Sequence, residues 1–184
     1  MKNGSPFSVL HSAFRVIRRS VYFLEAPFFT DDYMRRYTKL LQKEGLNIAD
    51  YNYHGYIHPS VWIDSSSNYS LVKIGEAVTL SKDVIILTHD YSIRNAINAY
   101  ESNPENTKYR FLKPVTIGRN CFVGARAILL PGTTIGDNVI IGAGSVVKGD
   151  IPSDTIWAGA PAKRICELPE FYIRHKQAQD YTVE

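Results

Sequence analysis

A hydrophobic repeat of six residues governs this chain. Ile117, Val123, Leu129, Ile135, Ile141 and Val147 recur at every sixth position, and four residues after each stands a small or β-branched residue: Cys121, Ala127, Thr133, Val139, Ser145 and Ile151. Glycine follows the first mark at Gly118, Gly124, Gly136 and Gly142. A period of six fits neither the 3.6-residue helix nor a single alternating strand. It fits short parallel strands joined by tight corners and coiled into a solenoid. Each unit buries one aliphatic and one small side chain, so stacking must supply the core. A buried Ile, Leu or Val contributes roughly 1.5–3 kcal/mol against a backbone entropy of about 1–2 kcal/mol per residue. The glycines are expected to give the corners positive φ and close backbone approach. Strands of a sandwich would need five equal spacings by coincidence, which variable loop lengths disfavour.

The repeat begins at Ile57 with IHPSVW and IDSSSN, and returns at Ile74, Leu80 and Ile86 after one interval of eleven residues instead of twelve. Residues 92–113 are polar and break the pattern, which is read as an extended loop without secondary structure; loops of that length often carry function. The strict repeat resumes after Pro114 and lasts to about Ala158, beyond which GAPAKRICEL is expected to leave the coil. The expected organisation is an N-terminal helical cap over 1–56, a coil over 57–165 and a C-terminal helix and tail over 166–184.

Residues 8–25 place Leu10, Ala13, Phe14, Ile17, Val21 and Leu24 at helical spacing, with Arg15, Arg18 and Arg19 largely off that stripe. Such a helix suits either the next helix or an anionic membrane surface. Thr30 as N-cap, Asp31 and Asp32 in the first turn and Gly45 after the last predict a second helix over about 31–44, burying Met34, Tyr37 and Leu41. Eleven of the 22 aromatic residues fall within residues 1–56, as suits a cover for the open end of a solenoid.

The net charge of +3 resides in this N-terminal segment, which holds eight Lys/Arg against five Asp/Glu, whereas residues 57–184 hold thirteen of each. Nucleic-acid binding needs a denser cationic stripe and is discounted. Cys121 occupies an inward slot, and Cys166 has no partner at a metal-like or disulfide-like spacing, which suits a reducing cytoplasm. Cytoplasmic residence, at the inner face of the membrane if the basic helix binds there, is the expectation.

LTHDYS, the interrupting segment, KPVTIGRNCFVGARAILLPGTTIGDNVIIGAGSVVKGDIP and WAGAPAKRI together resemble the hexapeptide-repeat acyltransferases, in particular the galactoside, maltose and Nod-factor acetyltransferase branch. Residues 1–56 resemble, less distinctly, the N-terminal segment of bacterial polysaccharide and lipopolysaccharide acetyltransferases. The resemblance implies a mainly β fold, a left-handed parallel β-helix, and a homotrimer with active sites between subunits. It implies acetyl-CoA as co-substrate, no required metal, and a small-molecule or glycan acceptor.

Residue by residue, the resemblance makes His89 the general base and the backbone N–H of Ala125 the donor to the tetrahedral oxyanion. An imidazole can accept a proton near neutrality, and preorganised N–H groups stabilise developing negative charge. Phe122, Gly124, Ala125, Gly142 and Ala143 match the wall for coenzyme A, and Lys148, Lys163 and Arg164 the cations toward its nucleotide end. His58, Asp64 and Arg110 match acceptor-side positions. The expected reaction is O-acetylation of a sugar hydroxyl in surface-polysaccharide or lipopolysaccharide assembly. N-acetylation of a nucleotide-linked amino sugar and a noncatalytic trimeric scaffold are the alternatives. A zinc carbonic anhydrase on the same scaffold would need three histidines per site, which the spacing of His54, His58 and His89 does not supply.

Overall fold

The computed structural model describes residues 31–50, 54–64, 69–101 and 107–183. The helix expected over residues 8–25, and Thr30, the expected N-cap of the second helix, lie outside them. The second expected helix is α1 (Asp31–Lys43), with Met34, Tyr37 and Leu41 buried as the pattern required, together with Tyr33, Thr38 and Leu40. Gly45 ends it at φ +95°, and Leu46 N–H returns to the Leu41 carbonyl.

The strands form three parallel ladders, the faces of a left-handed β-helix. The first sheet holds β1 (Asn47–Ile48), β4 (Val72–Ile74), β9 (Val115–Ile117), β12 (Thr134–Ile135) and β15 (Asp150–Ile151). The second holds β2 (Tyr56–Ile57), β5 (Thr79–Leu80), β10 (Phe122–Val123), β13 (Ile140–Ile141) and β16 (Thr155–Gly159). The third holds β3 (Trp62–Ile63), β6 (Ile85–Ile86), β11 (Ile128–Leu129) and β14 (Val146–Val147). In the regular part, Thr134 pairs with Thr116, Ile140 with Phe122 and Val146 with Ile128, each 18 residues on. Ile57, Leu80, Val123 and Ile141 stack as one buried column, and Ile63, Ile86, Leu129 and Val147 as another. The first strand, at Asn47–Ile48, lies ahead of residue 57, so the coil borrows its first rung from the segment read as the cap.

The corners divide two tasks that the sequence had assigned to glycine alone. A Cβ on Gly118 would lie 2.5 Å from the Gly136 carbonyl oxygen, and one on Gly124 would lie 2.5 Å from the Ala143 nitrogen, so glycine there serves close stacking of coils. Positive φ belongs instead to the residue two places on: Ala77, Asn120, Arg126 and Asn138 lie between +52° and +59°. Asn tolerates this left-handed region better than most side chains.

The outward positions differ by face. Those of the first sheet are Asn47, Lys73, Thr116, Thr134 and Asp150. Those of the third are Trp62, Ile85, Ile128 and Val146, aligned in register, with Trp62 54% exposed. One face is polar, another a partly exposed apolar ladder.

Two segments differ from expectation. Residues 92–113 are not all loop: β7 (His89–Asp90) pairs antiparallel with β8 (Phe111–Leu112), and α2 (Ser92–Tyr100) lies between them. Residues 162–167 do not leave the coil; β17 (Ala162–Glu167) turns back antiparallel on β16 before α3 (Leu168–Ala178). The C-terminal helix is as expected. Among the described residues no helix is long and apolar enough to cross a membrane.

Candidate active site

His89 follows β6, where the third sheet gives way to the inserted hairpin, and its pairing with Leu112 holds it at the hairpin base. The ring is largely buried, its side chain 19% exposed. Nδ1 contacts Oδ2 of Asp64, a carboxylate only 3% exposed. The same oxygen accepts the Thr88 N–H at 3.4 Å and the Thr88 hydroxyl at 3.3 Å. Tyr91 sets its ring perpendicular to the imidazole, 5.1 Å between centroids and 79° between planes. Next along the strand, Asp90 is exposed and accepts the Ser92 N–H at 2.7 Å. That hydrogen bond, with smaller contributions from Lys148 and His89, holds its carboxyl below the usual range. Lys148 follows β14 of the same sheet, so Asp64, His89 and Lys148 share one corner column. Arg110 stands exposed just before β8, on the returning arm of the hairpin.

A second column lies at the corner between the second and third sheets. It contains His58, Gly124, Ala125, Gly142 and Ala143, with Phe122, 43% exposed, on the strand that enters it. The Ala125 carbonyl accepts the Gly144 N–H at 2.8 Å, but the Ala125 and Ala143 N–H groups donate to nothing among the described residues. The equivalent residues at the other glycine corner are satisfied from the coil above: Arg119 N–H donates to Asp137 and Asp137 N–H to the Ser153 hydroxyl, each at 2.9 Å. The coil above Ala125 offers Ala143, whose side chain carries no acceptor. The local sequence therefore leaves two backbone donors unspent at one edge of the prism.

His58, half-buried, accepts the Ser60 N–H at 3.1 Å and the Ser60 hydroxyl at 2.8 Å on Nδ1, and that hydroxyl accepts the Asp83 N–H at 2.9 Å. Nδ1 as acceptor places the neutral ring's proton on Nε2. Burial lowers its pKa from 6.5, the Asp83 charge opposing. Lys163 and Arg164 lie exposed on β17, opposite Ala158 and Trp157, and Arg164 pairs with Glu167.

A single chain thus gathers the residues into two corners and does not bring His89 to Ala125. The two corners bound opposite ends of the third sheet, about six residues apart at roughly 3.3 Å each, hence on the order of 15–20 Å. Sequence reasoning placed Asp64 on the acceptor side and overlooked both its contact with His89 and the Tyr91 ring. The available signal was register: Asp64 follows Ile63, whose ladder partner Ile86 precedes Thr88 and His89. Among the described residues no group of three or more His, Cys, Asp or Glu could hold a metal ion.

Residues 114–148 match the family model described as the hexapeptide repeat of succinyl-transferase. The galactoside O-acetyltransferase of Escherichia coli K12 is 35% identical over 113 residues, 61% of this chain and 52% of that protein. The putative lipopolysaccharide biosynthesis O-acetyl transferase WbbJ of the same organism is 36% identical over 96 residues, 51% of this chain and 49% of that one. The matches span about half the length of these two relatives. A solved galactoside acetyltransferase in complex with coenzyme A superposes with a TM-score of 0.53 at 24% identity, covering 91% of this chain and 87% of the other, a likeness of fold. Residues 114–148 are hexapeptide repeat, and the chain resembles, in sequence and in fold, hexapeptide-repeat acetyltransferases of the galactoside type.

Proposed function

We propose that this protein is an acetyl-CoA-dependent O-acetyltransferase acting on a sugar hydroxyl, and that its active sites form between subunits of a homotrimer. The observation that carries the reading is the division of chemistry between two corners: an imidazole held at one, unspent backbone donors at the other. Either corner alone is half a site. Packing the His89 corner of one copy against the Ala125 corner of the next completes it, and the partly exposed apolar ladder Trp62–Ile85–Ile128–Val146 lies between those corners, where such packing would bury it further.

His89 accepts the proton of the acceptor hydroxyl as its oxygen attacks the thioester carbonyl. The negative oxygen that forms is met by the Ala125 N–H. The imidazolium then protonates the departing thiolate as the C–S bond breaks, so acceptor and acetyl-CoA become ester and free thiol. Neither Cys121 nor Cys166 is required. The small residues at Ala143 and Gly144 suit the arm of coenzyme A, since a Cβ at Gly144 would meet nothing within 4 Å. Lys163, and Lys148 beyond the other corner, suit its phosphates. The named activities of the relatives, on galactosides and in lipopolysaccharide biosynthesis, support a sugar acceptor.

The test is turnover with acetyl-CoA across a panel of sugars, read by thiol release and product mass. His89→Ala should lower turnover roughly 10²- to 10⁴-fold with assembly unchanged. Hydroxylamine-labile product indicates an ester; a stable amide would replace O- by N-acetylation. Acetyl-CoA at 100 times its dissociation constant should stabilise the fold by about 2.7 kcal/mol. No stabilisation and no turnover would leave a noncatalytic scaffold.

A further inference from the structure

We propose that Asp64 is a positioning residue for His89 and not a contact to the acceptor: it fixes the imidazole in the Nδ1–H tautomer, so that Nε2 is the atom that exchanges the proton. The inference rests on His89 being the base. It follows from where the carboxylate lies, at 3% exposure beneath a ring that is itself largely buried. Burying a carboxylate is costly unless donors converge on it. Here donors come from the hairpin corner, with Nδ1 of His89 and both the N–H and the hydroxyl of Thr88 meeting one oxygen, Oδ2.

Register produces this meeting. The Asp64 N–H donates to the Ile86 carbonyl at 2.9 Å, which fixes Asp64 one rung below the turn that carries Thr88 and His89. From the other side, the Lys113 N–H donates to the Thr88 carbonyl at 2.9 Å and Leu112 pairs with His89, so both arms of the hairpin hold the turn. The Tyr91 ring, perpendicular to the imidazole, restricts its rotation. Among the described residues, the charged or titratable groups around the ring include Asp64 below, Asp90 and Tyr91 on its own arm, and Lys148 from the coil above through Asp90.

A carboxylate has no proton to give, so Nδ1 must donate and the neutral ring keeps its lone pair on Nε2. When Nε2 takes the acceptor's proton, the new positive charge lies against a buried negative one; when Nε2–H protonates the thiolate, the ring returns to the same tautomer. Asp64 stays ionised throughout.

Asp64→Asn tests this with almost no change of shape. The amide can donate to Nδ1, which moves the proton to Nε2 and removes the acceptor lone pair. The expected result is a fall in kcat of roughly 10²- to 10⁴-fold, with the KM for sugar changed no more than about threefold and the acidic limb of the rate profile displaced. Nitrogen-15 NMR of the ring should show the Nδ1–H tautomer in the parent protein and Nε2–H in the variant. A raised acceptor KM with unchanged kcat, or a parent ring protonated on Nε2, overturns the proposal. Should Asp64→Asn fail to fold, the parent tautomer still decides, and Thr88→Val, which removes one donor to Oδ2, should lower kcat without raising KM. Full activity in His89→Ala would strike the base assignment itself, an outcome separate from the tautomer measurement.

Discussion

Asn120 donates its Nδ2 to Oδ1 of Asn138 at 2.9 Å, and Asn138 passes the same bond to Asp154 on the next coil, also at 2.9 Å. These residues hold the positive-φ position of three successive turns of one corner. Asn is suited twice over, to the conformation and to the ladder. Asn138→Ala should therefore lose both, at about 1–3 kcal/mol, whereas Asn138→Gly should lose only the hydrogen bonds and cost less. Denaturation midpoints of the two variants check the order; Ala the milder of the pair would contradict it.

Gly124 and Gly144 predict opposite mechanisms at one corner. A methyl at Gly124 strikes the Ala143 backbone at 2.5 Å, and backbone cannot swing aside. Gly124→Ala should cost more than about 2 kcal/mol or abolish soluble expression. Gly144→Ala meets open space but carries φ +69°, so its cost should stay near 1 kcal/mol. Thermal melts of both variants separate steric from conformational loss.

Cys121 Sγ–H donates to the Gly136 carbonyl at 3.0 Å in the interior, and burial pushes its pKa from 9.0 to about 11. A folded thiol that ionises later than the unfolded one stabilises fully below pH 9 and loses that contribution as pH rises toward 11. The parent protein should lose stability faster than Cys121→Ala over that window. At pH 8 a thiol reagent should label Cys166 readily and Cys121 only on unfolding.

His58 shows the reverse dependence. Its pKa lies below 6.5, so its stabilising contribution is full above that pH and disappears as pH falls through the folded value. Urea midpoints should decline more steeply below pH 6.5 in the parent than in His58→Gln. Parallel slopes would show that burial does not hold the ring neutral.

Ile128 points outward from the middle of the apolar ladder. If the proposed trimer packs through this ladder, Ile128→Asp should yield monomers by light scattering while preserving the far-ultraviolet spectrum, and should reduce turnover in step with dissociation. Dispersed and fully active monomers would refute a site shared between subunits.

The inward residues of the coil were legible because burial at a fixed period leaves an unmistakable trace: Ile117 through Val147 are buried as their spacing required. The positive-φ residues were not, since Gly118 and Gly124 drew attention to the wrong position of each turn. Helix α2 was overlooked although Ile93, Ala96, Ile97 and Tyr100 stand at helical spacing, because Ser92–Tyr100 buries no residue and adds nothing to the inward ladders. Strand β17 escaped because its attachment to β16 is made by backbone, which needs no side-chain pattern. Of the site, His89 was legible by its place before the interruption; the Asp64 contact was not, because it depends on register across the one irregular unit of the coil.

The reversal at β17 bears on more than the end of the chain. A stack of identical rungs presents at each end the same template for another copy, and nothing in the rungs themselves limits its growth into a fibre. By laying an antiparallel strand across the last parallel rung of the second sheet, with Lys163 and Arg164 exposed along it, the chain presents an edge whose direction and charge no incoming hexapeptide rung can continue.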